Sequence, residues 1–242
     1  RTFLVPFLIR KPFEVQSVEP ASVDTHTLRM RPAEGAKFEH YPGQFMFLRL
    51  KRPGRKSEEH PFTIASSPTL DGAIEATIKE SGDFTNTIGE TRTGDTASIE
   101  APFGKFSFVY DQPERILFIA GGVGLTPIIS MMRFLRDTSD KRPVFLLYGC
   151  RKEEEIVLRE ELDNMPENMQ IQYIMSHPED DWKGPEGFVN KENIEKLVPD
   201  AFLGEETHVY LCGPPPMMNM VIRDLGEVGF GKSRLHYEYF SL

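Results

Sequence analysis

Cysteine is scarce in this 242-residue chain. Cys150 and Cys212 are the two present, too few for a disulfide framework or a four-cysteine iron–sulfur cluster. The sequence therefore fits a reducing compartment, and no metal site is expected. It has no run of about 18 apolar residues, the length a membrane-spanning helix needs. Positive charge is also short: 28 Lys and Arg stand against 37 Asp and Glu, a net charge of −9. That balance argues against a nucleic-acid partner, which would want a basic face. It leaves room for an anionic ligand held by backbone amides and a few local cations. An initiator methionine is missing too, since the chain opens on Arg1, and a fragment or a processed chain is expected. The apolar stub at residues 3–9, before Arg10-Lys11, is too short and interrupted for a signal peptide. It reads either as an N-terminal strand or as the tail of a membrane helix ending in basic residues.

What is present divides in two. Hydrophobic residues at 39% with 27% charge are ordinary for a globular chain, and the length suffices for two cores. Short strands with period-two alternation are expected at 13–18, 27–31, 44–50, 62–65, 74–79 and 96–100. Frequent Pro and Gly between them suggest a small six-stranded antiparallel barrel. Asp111-Gln112-Pro113-Glu114 reads as a linker. Beyond it, continuous apolar runs at 116–120 and 144–148 mark parallel strands covered on both faces. Further strands are expected at 171–175, 208–212 and 235–239, with helices at 127–135, 153–162, 191–197 and 216–225. This alternation predicts a doubly wound parallel sheet. The expected units are a linker or upstream segment at 1–12, a barrel at 13–112 and an α/β domain at 113–242.

Gly121-Gly122-Val123-Gly124-Leu125-Thr126-Pro127 follows the first of the parallel strands and opens a helix. Glycines there allow a tight turn and close approach of a pyrophosphate to a helix N-terminus. The pattern is not the ordinary dinucleotide fingerprint. Pro127 stands where a third glycine is usual, and no acidic ribose ligand appears about 20 residues on. A second turn, Cys212-Gly213-Pro214-Pro215-Pro216-Met217, again places Gly after a strand, and the two strand ends can flank one cleft. Gly122, Val123, Gly124, Thr126, Gly213, Pro214 and Met217 are the expected dinucleotide contacts. Cys212 is read either as a group at the mouth that touches a nicotinamide or as a buried structural thiol.

Pro42-Gly43-Gln44-Phe45, residues 60–67, 78–85, 121–127 and 212–217, and Glu238-Tyr239-Phe240 occur in an order and spacing that resemble the ferredoxin–NADP reductase superfamily over essentially the whole chain. His60-Pro61-Phe62-Thr63 and Gly82-Asp83-Phe84-Thr85 resemble the ferric reductase and NADPH oxidase branch. There the dehydrogenase follows a haem-bearing membrane domain. The resemblance implies an FAD site of His60, Pro61, Phe62, Thr63, Ile78, Lys79, Gly82, Asp83, Phe84 and Thr85. His60 and the turn at 82–85 would hold the pyrophosphate, and Thr63 would bond near flavin N5. Phe62 is alternatively barrel core, and Lys79 a solvated strand end. Glu238 and Phe240 match a Glu-x-Phe ending whose aromatic covers the flavin, with Tyr237 and Tyr239 as rival rings. Thr63, Cys212 and Glu238 are the expected catalytic residues.

The implied activity is FAD-dependent oxidation of NADH or NADPH, with electrons passed to an acceptor outside the chain. That acceptor is haem of a membrane domain, a separate protein, ferric iron or dioxygen. The alternatives are a soluble reductase subunit serving a ferredoxin, flavodoxin or oxygenase, and a non-catalytic flavin-binding subunit. The location follows: the cytoplasmic side of a membrane, or the cytoplasm. Arg151 and Lys152 are candidates for a 2′-phosphate, opposed by Glu153, Glu154 and Glu155 if those face the site. Ser176-His177 stands where NADPH-selective relatives carry Ser-Arg, and His is a poor substitute at neutral pH. The reading leans to NADH or dual use.

Overall fold

A computed structural model describes residues 11–33, 39–70 and 72–239. The stub at 3–9 and Phe240 lie outside these residues. The first six strands are β1 (Lys11–Ser22), β2 (Thr25–Pro32), β3 (Phe45–Lys51), β4 (Glu59–Thr63), β5 (Ile74–Lys79) and β6 (Thr96–Phe103). They form one antiparallel sheet in the order β4-β3-β6-β1-β2-β5. Alternation drives it: Met46, Leu48 and Leu50 point inward from β3 and meet Leu28 and Met30 of β2 and Phe13 and Val15 of β1. β1 is longer than expected because irregularities at 15–17 and 20–22 bend it, so that it serves β6 and β2 in turn. The sheet curls until its end strands β4 and β5 approach. Just beyond β4 the Ala65 amide donates to the Glu75 carbonyl at 2.8 Å, and a seam is left between the two strands.

The second half holds β7 (Arg115–Gly121), α1 (Leu125–Asp137), β8 (Val144–Cys150), α2 (Arg159–Asp163), β9 (Met169–Met175), α3 (Lys191–Leu197), β10 (Thr207–Gly213), α4 (Pro215–Val228) and β11 (Leu235–Tyr239). The five strands are parallel in the order β11-β10-β7-β8-β9. Ile116, Phe118 and Ala120 of β7 face α1, while Leu117 and Ile119 face α3 and α4. That two-sided burial is why β7 and β8 read as continuous apolar runs.

The expected helix at 153–162 is broken. A single 3₁₀ turn at Glu153–Glu155 gives way to extended backbone at Ile156 and a left-handed Leu158 with φ 54°. Only then does the five-residue α2 begin. Ile156 and Val157 are pulled into the core. The Val157 amide donates to the Tyr148 hydroxyl at 3.3 Å and the Leu158 amide to the Ala21 carbonyl at 2.8 Å. Tertiary bonds thus replace helical ones.

α1 lies between the parallel sheet and the barrel. Ser130 accepts from the Gly43 amide at 3.2 Å and donates to the Ser66 carbonyl at 2.8 Å. Arg133, 8% exposed, donates to the Ala65 carbonyl and to Glu75, each at 2.9 Å, and pairs with Glu161 of α2. One buried guanidinium therefore ties the barrel seam to α1 and α2 of the second half. Among the described residues no helix is long and apolar enough to cross a membrane.

Candidate functional site

Strand order reverses between β7 and β10. β7 runs on to β8 and β9, whereas β10 and β11 lie on its other side. A parallel sheet opens a crevice beyond the carboxyl ends of its strands at such a point. Here the crevice continues into the β4–β5 seam as one cleft of about 1030 Å³.

The seam wall comes from the barrel. His60, Pro61, Phe62 and Thr63 line it from β4, and Ile78 and Lys79 from β5. Gly82, Asp83, Phe84 and Thr85 close one end. His60 stacks on Phe84 with ring centroids 4.4 Å apart, and Arg52 covers that ring from 5.3 Å. Phe62 both lines the cleft and packs on the barrel core, so its two readings coincide. The turn at 82–85 is partly self-satisfied. The Ser81 amide donates to Thr85 Oγ1 at 2.9 Å and the Gly82 amide to Asn86 Oδ1 at 3.3 Å. Residues 83–85 then lead into the 3₁₀ turn Thr85–Glu90. Lys79 is engaged: its ammonium lies 2.7 Å from Asp24 Oδ2 and 3.8 Å from Glu155 Oε2.

The opposite wall is the glycine-rich end of β7 and β10. Gly122, with φ +51°, faces open space on its Cβ side. Its three companions are there for packing. A Cβ on Gly124 would meet the Cys212 carbonyl oxygen at 2.4 Å, one on Gly121 the Met217 sulfur at 2.3 Å, and one on Gly213 the Gly121 backbone at 3.2 Å. Close approach of two strand ends, more than approach of a phosphate, therefore requires Gly124 and Gly213, while Gly121 leaves room for the Met217 and Pro214 side chains. The loop is pinned as well. The buried Tyr148 hydroxyl donates to the Gly122 carbonyl at 3.0 Å, and Thr126 Oγ1 to the Val123 carbonyl at 3.0 Å. α4 offers little to an anion. Pro215 and Pro216 have no N–H, and the Met218 amide is spent on the Pro214 carbonyl at 3.0 Å. The amide-bearing terminus in the cleft is that of α1, which completes its 3₁₀ lead-in at Gly122–Gly124.

Cys212 does not stand at the mouth. It is fully buried, because β7 and β11 flank β10 and Gly124 packs on its carbonyl. Burial, and then the nearby Glu238 charge, push its thiol well above the usual range. Its strand partner Glu238 does reach the cleft, and burial raises that carboxyl to about 7. Glu238 also approaches the barrel. A Cβ on Gly104 would fall 3.1 Å from the Phe45 ring and 3.3 Å from Glu238 Oε1, and Phe45 is the strand partner of Thr63. Among the described residues, three buried polar atoms of the cleft lining have no hydrogen-bond partner, His60 Nε2 and Thr63 Oγ1 on the barrel wall and Glu238 Oε2 on the other. Orphaned groups on facing walls of a cleft this size fit a ring system with its own donors and acceptors.

One of the wall residues, Phe188, carried no sequence signal, whereas Glu155 and Ser176 stand where the sequence pointed. Phe188, 61% exposed at the cleft, sits edge-on to His177 at 6.4 Å. Glu155 is the one of the three glutamates that lines the cleft, while Glu153 pairs with Arg159. Ser176 lines it beside His177, its hydroxyl 3.0 Å from Nδ1. Arg151 reaches the cleft, but Lys152 is drawn off to Glu179 at 2.6 Å. Trp182 folds away, its indole N–H donating to the Pro185 carbonyl at 3.1 Å.

Known proteins carry the same arrangement. Residues 11–114 match a family described as an FAD-binding domain, and residues 118–223 one described as an oxidoreductase NAD-binding domain. The reductase component of propane 2-monooxygenase from Mycolicibacterium goodii is 31% identical over 238 residues, covering 94% of this chain and 67% of that protein. NADH-cytochrome b5 reductase 1 of Dictyostelium discoideum is 32% identical over 199 residues, covering 80% and 68%. The cytochrome b5 reductase domain of Ulva prolifera nitrate reductase superposes with a TM-score of 0.82 at 26% identity, covering 97% of this chain and all of that one. With barrel, parallel sheet and shared cleft in place, the chain belongs to the ferredoxin–NADP reductase-like superfamily and is an FAD-dependent NAD(P)H oxidoreductase.

Proposed function

We propose that the chain is the reductase module of a multicomponent system, passing electrons from NADH through FAD to a separate acceptor protein. The observation that carries the reading is the set of orphaned polar atoms on the two walls of one cleft, His60 Nε2 and Thr63 Oγ1 facing Glu238 Oε2. When bound, the flavin supplies the hydride and single-electron chemistry. The chain's share is placement. Thr63 donates or accepts one hydrogen bond at the ring edge, and the His60–Phe84 stack and the turn at 82–85 hold the FAD tail. Gly122, Val123 and Thr126 seat the dinucleotide pyrophosphate on the start of α1. Glu238, near its midpoint at neutral pH, holds or yields a proton at Oε2 beside the nicotinamide. Cys212 acts from behind the wall, as packing that sets the β10 end.

A separate acceptor is supported by the relatives at about this identity, which are reductase components and cytochrome b5 reductases. NADH is favoured because Lys152 is paired with Glu179, Glu155 lines the cleft, and the sequence has His177 where NADPH-selective relatives carry Arg. A second reading, a dehydrogenase joined to a haem-bearing membrane domain, rests on His60-Pro61-Phe62-Thr63 and Gly82-Asp83-Phe84-Thr85. The test is anaerobic reduction of the FAD-loaded protein, followed at the flavin absorption band with NADH and NADPH in parallel. Bleaching at least tenfold faster with NADH is expected. No bleaching with either nucleotide, FAD still bound, overturns the reductase reading, and faster bleaching with NADPH overturns the nucleotide assignment.

A further inference from the structure

At the far end of β10 and β11, away from the cleft, three metal-ligating side chains from separate elements converge. His208 comes from the start of β10, His236 from β11, and Asp111 from the connector between barrel and sheet. His208 Nδ1 lies 3.0 Å from His236 Nε2, and His236 Nδ1 lies 3.5 Å from Asp111 Oδ2. One ligand atom of each residue falls within 4.8 Å of the others. None of the three lines the cofactor cleft, and the reaction uses none of them.

We propose that Asp111, His208 and His236 form a site for a divalent ion of the zinc class, with two imidazoles and one carboxylate as ligands and water completing the shell. Two nitrogens on one tetrahedral zinc, each at about 2.0–2.1 Å, stand about 3.3 Å apart. The imidazole pair at 3.0 Å shares a hydrogen bond, and Asp111 faces the other nitrogen of His236, so an ion would replace that bond, with the rings turning to present one nitrogen each. Asp111 is exposed and already faces His236 Nδ1 at 3.5 Å. Imidazole with carboxylate selects Zn²⁺, Cu²⁺ or Ni²⁺ over Mg²⁺ and Ca²⁺. Both histidines are partly exposed, which gives an ion a way in. Tyr210 backs the site, its hydroxyl donating to Asp111 Oδ2 at 3.3 Å and its ring stacked 4.5 Å from His236. Arg234 is the nearby cation, and its guanidinium is committed to the carbonyls of Gly204, Thr207 and Gly229 at 2.9, 3.3 and 3.0 Å. An ion here would clip β11, the strand that carries Glu238, to the inter-domain connector.

The test is titration of the FAD-loaded protein with CoCl₂, read by the visible bands of low-symmetry cobalt, and with ZnCl₂ by calorimetry. One equivalent binding with a micromolar dissociation constant is expected. Affinity should fall at least tenfold in His208→Ala and in His236→Gln, and by a smaller factor in Asp111→Asn. The bound-flavin spectrum shows that each variant is folded, and His208→Gln replaces any variant that is not. Absence of saturable binding below about 100 μM, or the same affinity in the folded His208 variant, overturns the proposal. The second result would move the ion to the cleft at Glu238.

Discussion

The two walls of the cleft are built on opposite principles. On the barrel side the backbone is ordinary strand and side chains do the selecting. His60 is stacked, Phe62 is half in the core, and the Thr63 hydroxyl is left without a partner. On the sheet side, the glycine-rich ends of β7 and β10 make the backbone part of the surface. Glycine packs on strand end so tightly that a methyl group would strike a carbonyl oxygen at 2.4 Å, and the Tyr148 and Thr126 hydroxyls are already spent on the loop. Substitutions in the first wall should therefore tune a bound group, whereas substitutions in the second should break the wall.

Gly124→Val gives the largest expected effect. Its side chain would meet the Cys212 carbonyl, and overpacking against backbone costs about 3 kcal/mol or more. Thermal denaturation should show a loss of many degrees, accompanied by loss of the flavin. The cleaner probe of pyrophosphate contact is Gly122→Ala, whose methyl group enters open space at a strain of about 1 kcal/mol. A Gly124→Val protein of wild-type stability would contradict the packing role.

Arg133→Ala comes next, because it strips the guanidinium from the buried pairs with Glu75 and Glu161. Breaking such a pair leaves an uncompensated carboxylate and costs about 3 kcal/mol. Denaturant unfolding should lose its single cooperative step if this group couples the two halves. Thr63→Val should retain FAD and slow flavin reduction about tenfold, the worth of one hydrogen bond of about 1.4 kcal/mol. An unchanged stopped-flow rate would remove Thr63 from the reaction.

Glu238→Gln should give an effect whose size depends on pH and vanishes in acid. The buried carboxyl is raised to about 7 from the unfolded value of 4.5, so the folded state binds the extra proton between those values. Stability then falls as pH rises through that window. The variant should match the wild-type melting temperature near pH 5 and exceed it near pH 8. A parallel offset at both pH values would show that Glu238 titrates normally.

Much of this contrast was legible in the sequence, and what was not has identifiable causes. β5, α3 and β11 occupy the expected Ile74–Lys79, Lys191–Leu197 and Leu235–Tyr239, because local periodicity and tertiary burial agree there. The helix expected at 153–162 fails because Ile156 and Val157 are drawn into a core assembled from distant strands. Cys212 follows its neighbours inward for the same reason. The glycines were correctly placed at the cleft, but their packing role depends on β7 and β10 being adjacent, which no local pattern encodes. Phe188 was invisible because exposure is not a property of a residue type. His208 and His236 lie 28 residues apart, outside any familiar ligand spacing, and only strand order brings them together.

The proline-led start of α4 bears on turnover. With Pro215 and Pro216 lacking amides and Met218 already bonded, a pyrophosphate seated as proposed would draw on the α1 terminus and gain little from α4. Fewer amide bonds to the phosphates mean a shorter residence time, so spent nucleotide should leave readily and vacate the flavin face. For a shuttle that must be emptied before its next charge, a loose hold on the fuel raises throughput.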